Sequence, residues 1–76
     1  MNKIRRKSLQ EISDRIQEIM EDLESLQEEE EEYRDNMPEN FYGSEKYEKA
    51  EAACDSLASA YDSLDEAMTS IMEAIE

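Results

Sequence analysis

Met37-Pro38-Glu39-Asn40-Phe41-Tyr42-Gly43-Ser44 contains the only proline and the only glycine of the 76-residue chain. On its N-terminal side apolar residues fall at Leu9, Ile12, Ile16, Ile19, Leu23 and Leu26. On its C-terminal side they fall at Tyr47, Ala50, Cys54, Leu57, Tyr61, Leu64, Met68, Ile71 and Ile75. Steps of three and four alternate throughout both runs, which keeps one apolar stripe on one face of a slightly underwound helix. Helix-stopping residues occur nowhere else. The chain therefore reads as an all-α, antiparallel two-helix hairpin, coiled-coil-like, with helix one over about 2–36, a turn at 37–43 and helix two over about 44–75.

Ser8-Leu9-Gln10-Glu11 has the S-x-x-E spacing of a capping box, so helix one is expected to begin there or at Asn2. It should stop before Pro38, because a residue preceding proline is biased away from helical angles. Ser44 is a good N-cap, and Glu45 suits the positive end of the second helix dipole. Pairing the two stripes about the turn predicts Leu9 against Ile75, Ile12 against Ile71, Ile16 against Met68 and Ile19 against Leu64. Leu23 then meets Tyr61, Leu26 meets Leu57, Tyr33 meets Ala50 and Met37 meets Tyr47. Glu30 falls where an apolar residue belongs, opposite Cys54; it either snorkels outward or, if buried, fixes register or partner choice.

Helix two carries an internal seven-residue repeat. Ala53, Ala60, Ala67 and Ala74 recur at one position and Ser56, Ser63 and Ser70 at another. With Tyr47 as heptad position a, the alanines occupy g, beside the main seam. Alanine is the best helix former, but a strict stripe of small residues also lets another helix approach closely. A chain this short buries little, and a lone hairpin covers one face of each helix. Both points lead to an expected homodimer, a four-helix bundle with the alanines as its self-association stripe.

The charge balance excludes several function classes. There are 22 acids and 8 basic residues, a formal net charge of −14. Lys3, Arg5, Arg6 and Lys7 crowd the first seven residues, and no basic residue follows Lys49. In an antiparallel hairpin the basic cluster is expected beside Glu73 and Glu76. Such a surface repels nucleic acid and anionic lipid, so direct binding of either is not expected, whereas a basic protein surface is attracted. There is no apolar stretch of membrane-spanning length and no signal-peptide h-region. A single cysteine allows no internal disulfide and suits a reducing compartment, so the expected location is the cytoplasm.

The densest local feature is Glu28-Glu29-Glu30-Glu31-Glu32, which continues Glu18, Glu21, Asp22 and Glu24. These nine carboxylates span about 21 Å of helix, roughly one charge per 2.3 Å, against about one per 1.7 Å of duplex DNA axis. Glu18, Glu21, Asp22, Glu24, Glu28, Glu29, Glu31 and Glu32 thus form a candidate partner-binding face that imitates phosphate spacing. The plainer alternative is a solvated face that keeps a small oligomer soluble. Phe41 and Tyr42 are a candidate docking tip, although turn aromatics more often fold back over the end of a core. Tyr47 and Tyr61 are seam residues whose hydroxyls need edge positions or partners.

Cofactors and metals are not expected. No stretch alternates oxygen ligands around a central glycine as a calcium loop does. Cys54, at a seam position with no basic neighbour in helix two, reads as a small buried hydrophobe and not as a reactive thiol. The chain has no His, no phosphate-cradling glycine loop and no nucleophile–base pair, and its carboxylates lie on convex surface where no pocket desolvates a substrate. Catalysis is therefore not expected.

Asp35-Asn36-Met37-Pro38-Glu39-Asn40-Phe41-Tyr42-Gly43-Ser44-Glu45, followed by Ala/Asp/Leu heptads, resembles a group of small acidic helical-hairpin proteins of Firmicutes phages and mobile elements. The resemblance implies a phage-type setting in a bacterial host cell, where small acidic proteins often inhibit host defence or nucleic-acid enzymes. The resulting expectation is a non-enzymatic acidic module that occupies a basic surface of another protein as a nucleic-acid mimic. One alternative is a structural or accessory helical protein that self-associates or joins a phage complex. A small-ligand sponge for a signalling nucleotide is a second, with the scarcity of Lys and Arg against it.

Overall fold

A computed structural model describes all residues, Met1–Glu76. Helix α1 spans Lys3–Asp35 and helix α2 spans Glu45–Ile75, with a single 3-10 turn, Glu39–Phe41, between them. The helices pack antiparallel into a rod of 59 × 15 × 13 Å. All peptide bonds are trans.

The ends of each element follow from local chemistry. Asn2 caps α1: its Oδ1 accepts from the Arg5 N–H at 2.7 Å. Ser8 and Glu11 lie inside the helix, so the capping-box start is not used. At the other end the Asn36 N–H donates to the Glu32 carbonyl at 2.9 Å and the Met37 N–H to the Arg34 carbonyl at 3.2 Å. Pro38 then stops the helix, as its ring must. In the turn the Phe41 N–H donates to the Pro38 carbonyl, the Tyr42 N–H to Glu39 and the Ser44 N–H to Phe41. Gly43 adopts φ +83°, the one left-handed residue of the chain. A side chain is disfavoured there. Ser44 Oγ accepts from the Tyr47 N–H at 3.3 Å and starts α2, as its sequence position suggested.

The seam of α2 is the expected one. Ala50 and Cys54 are buried, and Tyr47, Leu57, Tyr61, Leu64, Met68, Ile71 and Ile75 are half-buried. The seam of α1 is not. Leu9, Ile16 and Leu23 face inward as expected, but alternate with Ser13 and Met20, both buried, and with half-buried Gln27 and Arg34. Ile12, Ile19, Leu26 and Tyr33 are exposed, so they lie at the margin of the interface and not at its centre, where they were expected opposite Ile71, Leu64, Leu57 and Ala50. In heptad terms, with Leu9 as a, the helix uses positions a and e where a and d were expected, a turn of about 50° at 100° per residue. The rotation turns the more polar row, Ser13, Met20, Gln27 and Arg34, toward α2 and leaves the more apolar row, Ile12, Ile19, Leu26 and Tyr33, outside. Near the turn α2 presents Ala50 and Cys54, and a close approach there leaves no room for the Tyr33 ring.

Ser13, Met20, Met37, Ala50 and Cys54 are the only buried residues. Nor is the basic N-terminus anchored as expected. The ion pairs of the chain are Arg34 with Asp35 and Lys49 with Glu45, so Lys3, Arg5, Arg6 and Lys7 have no partner within 4 Å and Glu73 and Glu76 pair with none of them.

Candidate functional site

The back of α1, turned away from α2, gathers the acidic residues. Glu24 and Glu31 occupy position b, Glu21 and Glu28 position f, Glu18 and Glu32 position c, and Asp22 and Glu29 position g. These four rows are contiguous on a helix surface and span about 140°. Seven of the eight side chains are exposed and Glu31 is half-buried. None forms an ion pair. Two accept weak hydrogen bonds one turn away: Gln17 Nε2 donates to Glu21 Oε1 at 3.4 Å and Gln27 Nε2 to Glu31 Oε1 at 3.3 Å. The face is thus an array of unneutralised carboxylates on a straight helix. A shallow groove beside it is lined by Glu24, Gln27, Glu28, Glu31 and Tyr61, which offers carboxylates and no cation to an anionic ligand.

Glu30 belongs to a different environment. It is half-buried on the inner side of α1, in the layer of Arg34 and Cys54. Burial pushes the Cys54 thiol above its usual range, with Glu31, Glu30 and Asp55 adding to the effect and the Arg34 guanidinium opposing it. The thiol therefore stays protonated near neutral pH, the inert state expected of a buried cysteine. Arg34 Nε donates to Asp35 Oδ1 at 3.0 Å, and that bond holds the guanidinium above its ordinary value. Sequence reasoning missed Arg34. The signal was available, since Arg34 lies four residues after Glu30 and would share its face on any helix.

The turn aromatics stay outside. Phe41 and Tyr42 are both exposed, so they do not close over the core as turn aromatics usually do. Tyr42 lies against Tyr47, ring centroids 4.8 Å apart. Of the alanine stripe, Ala53 is half-buried and Ala60, Ala67 and Ala74 are exposed. No group of three or more His, Cys, Asp or Glu side chains converges on a metal-sized site, and no helix is long and apolar enough to cross a membrane.

No protein-family profile matches the chain, and neither the curated proteins nor the solved structures contain a match.

Proposed function

We propose that the hairpin works by binding and not by catalysis, presenting the acidic back of α1 to a basic surface of another protein. The observation that carries this reading is that eight carboxylates share one outward arc and none is neutralised within the chain. Held on a helix, they are fixed at a spacing close to that of nucleic-acid phosphates. A groove lined with Lys and Arg would exchange solvent and counterions for them as it does for phosphates, and opposite fields would steer the encounter. The partner is therefore a nucleic-acid-binding protein, and the hairpin competes for its groove as a mimic. The setting we infer is the reducing cytoplasm of a bacterial host, which suits a free thiol.

The test replaces Glu28, Glu29, Glu31 and Glu32 with Gln, which keeps helix propensity and removes four charges. Parent and variant are immobilised and exposed to a bacterial lysate at low and high salt, and the retained proteins are identified. The parent should retain Lys/Arg-rich nucleic-acid-binding proteins at low salt, release them as salt rises, and lose them to added duplex DNA. The variant should remain as helical and retain little, chiefly through slower association. Equal retention by the variant would remove the acidic arc from the reading and leave the Phe41–Tyr42 tip or the basic N-terminus as the contact.

A further inference from the structure

Ile12, Ile19, Leu26 and Tyr33 repeat every seven residues along α1 and are 37%, 54%, 58% and 44% exposed. They form a straight apolar row about 32 Å long that the hairpin leaves uncovered. Its position relative to α2 is fixed by one contact. Lys46 Nζ lies 5.8 Å from the centroid of the Tyr33 ring, and Lys46 heads the heptad row that continues through Ala53, Ala60, Ala67 and Ala74. The large row of α1 and the small row of α2 therefore run side by side on one face of the rod. Between them lie seam residues that α2 and α1 only half cover, Ile16, Leu23, Leu57 and Leu64 among them.

The exposed area points to what belongs on this face. The chain exposes 5726 Å², whereas a compact monomer of 8.9 kDa exposes about 4,800 Å². The excess of about 900 Å² is close to the roughly 800 Å² that each partner contributes to a standard interface. Charge selects the occupant. Unpaired cations lie at the start of α1 (Arg5, Arg6 and Arg15) and at the start of α2 (Lys46). Glu29 and Glu32 lie at the end of α1, and α2 has no basic residue beyond Lys49. Lys46 at the start of α2 and Glu29 at the end of α1 thus border the face at the same end of the rod, a pair that a two-fold copy can exchange between chains.

We propose that this face takes a second copy of the chain, with α1 of each copy lying antiparallel across α2 of the other about a two-fold axis parallel to the helices. In that arrangement the large row of one copy packs on the alanine row of the other, so each deep side chain meets a shallow one. The alternative two-fold, α1 on α1 and α2 on α2, sets large against large and small against small. Glu21, Glu24, Glu28 and Glu31 of the acidic arc point away from the face and stay open to a partner, while Glu29 borders it; the dimer variants keep every carboxylate, so this dimer and the binding proposed above stand or fall separately.

Sedimentation equilibrium of the full chain at micromolar concentration should give about twice the 8.9 kDa chain mass. Ile19→Gln with Leu26→Gln alters only side chains exposed in the hairpin and should give a monomer of undiminished helicity. Arrangement is read from two single-cysteine chains, both Cys54→Ser, one carrying Leu26→Cys and the other Ala60→Cys. Mixed and mildly oxidised, they should form the mixed disulfide dimer, while Ala60→Cys alone should not link to itself. A monomeric parent, or a dimeric double variant, overturns the proposal and leaves the face to another protein's helix. Efficient self-linking of Ala60→Cys without the mixed dimer overturns the crossed arrangement.

Discussion

The two helices are nearly equal in length, 33 and 31 residues, but on the open face of the rod α1 exposes a row of large apolar side chains and α2 a row of alanines. Helix α1 has two adjacent rows rich in apolar residues and turns only that of Leu9, Ile16 and Leu23 inward, beside the more polar row of Ser13, Met20, Gln27 and Arg34. Helix α2 has a two-row seam flanked by alanines on one side and, on the other, by Glu51, Ala58, Asp65 and Met72. The difference teaches that a hairpin of this size is limited by the narrower partner. What α2 cannot cover remains a surface, and α1 carries that surface together with the acidic arc. Both candidate interfaces of the molecule therefore involve α1, and α2 contributes its alanine row to one of them.

The sharpest way to break this comparison uses adjacent residues. Met20 is 2% exposed and Ile19 is 54% exposed. Met20→Ala should destabilise the hairpin by about 2–5 kcal/mol at any protein concentration, as read from urea unfolding. Ile19→Ala should cost much less in dilute solution and become costly only as concentration rises and copies associate. Equal costs at low concentration would mean that the inner row of α1 is wrongly assigned.

A smaller effect is expected from α2. Ala50 is buried in the seam, so Ala50→Leu should overpack the layer and cost about 1–3 kcal/mol. Ala60→Leu, on the open row, should leave the isolated hairpin near its original stability. If Ala50→Leu is also neutral, the helices are not held close at that layer. At the turn, Gly43→Ala forces a Cβ into the left-handed region at φ +83° and should cost about 1–2 kcal/mol, with unfolding midpoint as the measure.

The smallest predicted effect is the dependence of stability on pH. Burial raises the Cys54 thiol pKa in the folded state, so the unfolded chain loses that proton first. The contribution of Cys54 is fully present below the unfolded thiol value, about 8.5, and declines as pH rises through the folded one. Parent and Cys54→Ala should therefore share one stability profile in acid and neutral solution and diverge above it, the parent falling faster. A thiol reagent should modify Cys54 slowly in buffer and rapidly in urea.

Much of the fold was legible because its signals were unopposed. Pro38, Gly43 and Ser44 are the only punctuation between two long periodic runs, and they mark the turn to within one residue. The seam of α2 was legible because its alternating apolar positions offer a single reading. In α1 the residues Ile12 and Ser13, then Ile19 and Met20, offer two overlapping stripes that share Leu9, Ile16 and Leu23. Choosing between them depends on how closely α2 approaches, which spacing along α1 does not contain. The start of α1 was open between Asn2 and Ser8 for a similar reason, since each has a side-chain oxygen and a suitable donor three residues on. Of the candidate site, the acidic arc follows from helical periodicity alone. That Glu30 lies opposite Cys54, and not with that arc, followed from its seam position; only the inward turn of Arg34 required the position of the second helix.

The narrow rod scatters as a much larger particle would. Its Cα radius of gyration is 17.4 Å, where a compact chain of this length would have about 11 Å and a radius of 17.4 Å would suit a globular protein of about 230 residues. Small-angle scattering from a single copy will thus report the radius of gyration of a globular protein about three times its mass. A second copy laid alongside, with helix axes about 8–10 Å apart, thickens the particle without lengthening it and raises the radius by only about 1 Å. One copy and two will have nearly the same radius of gyration while differing twofold in mass, so the forward scattering intensity separates states that the radius merges.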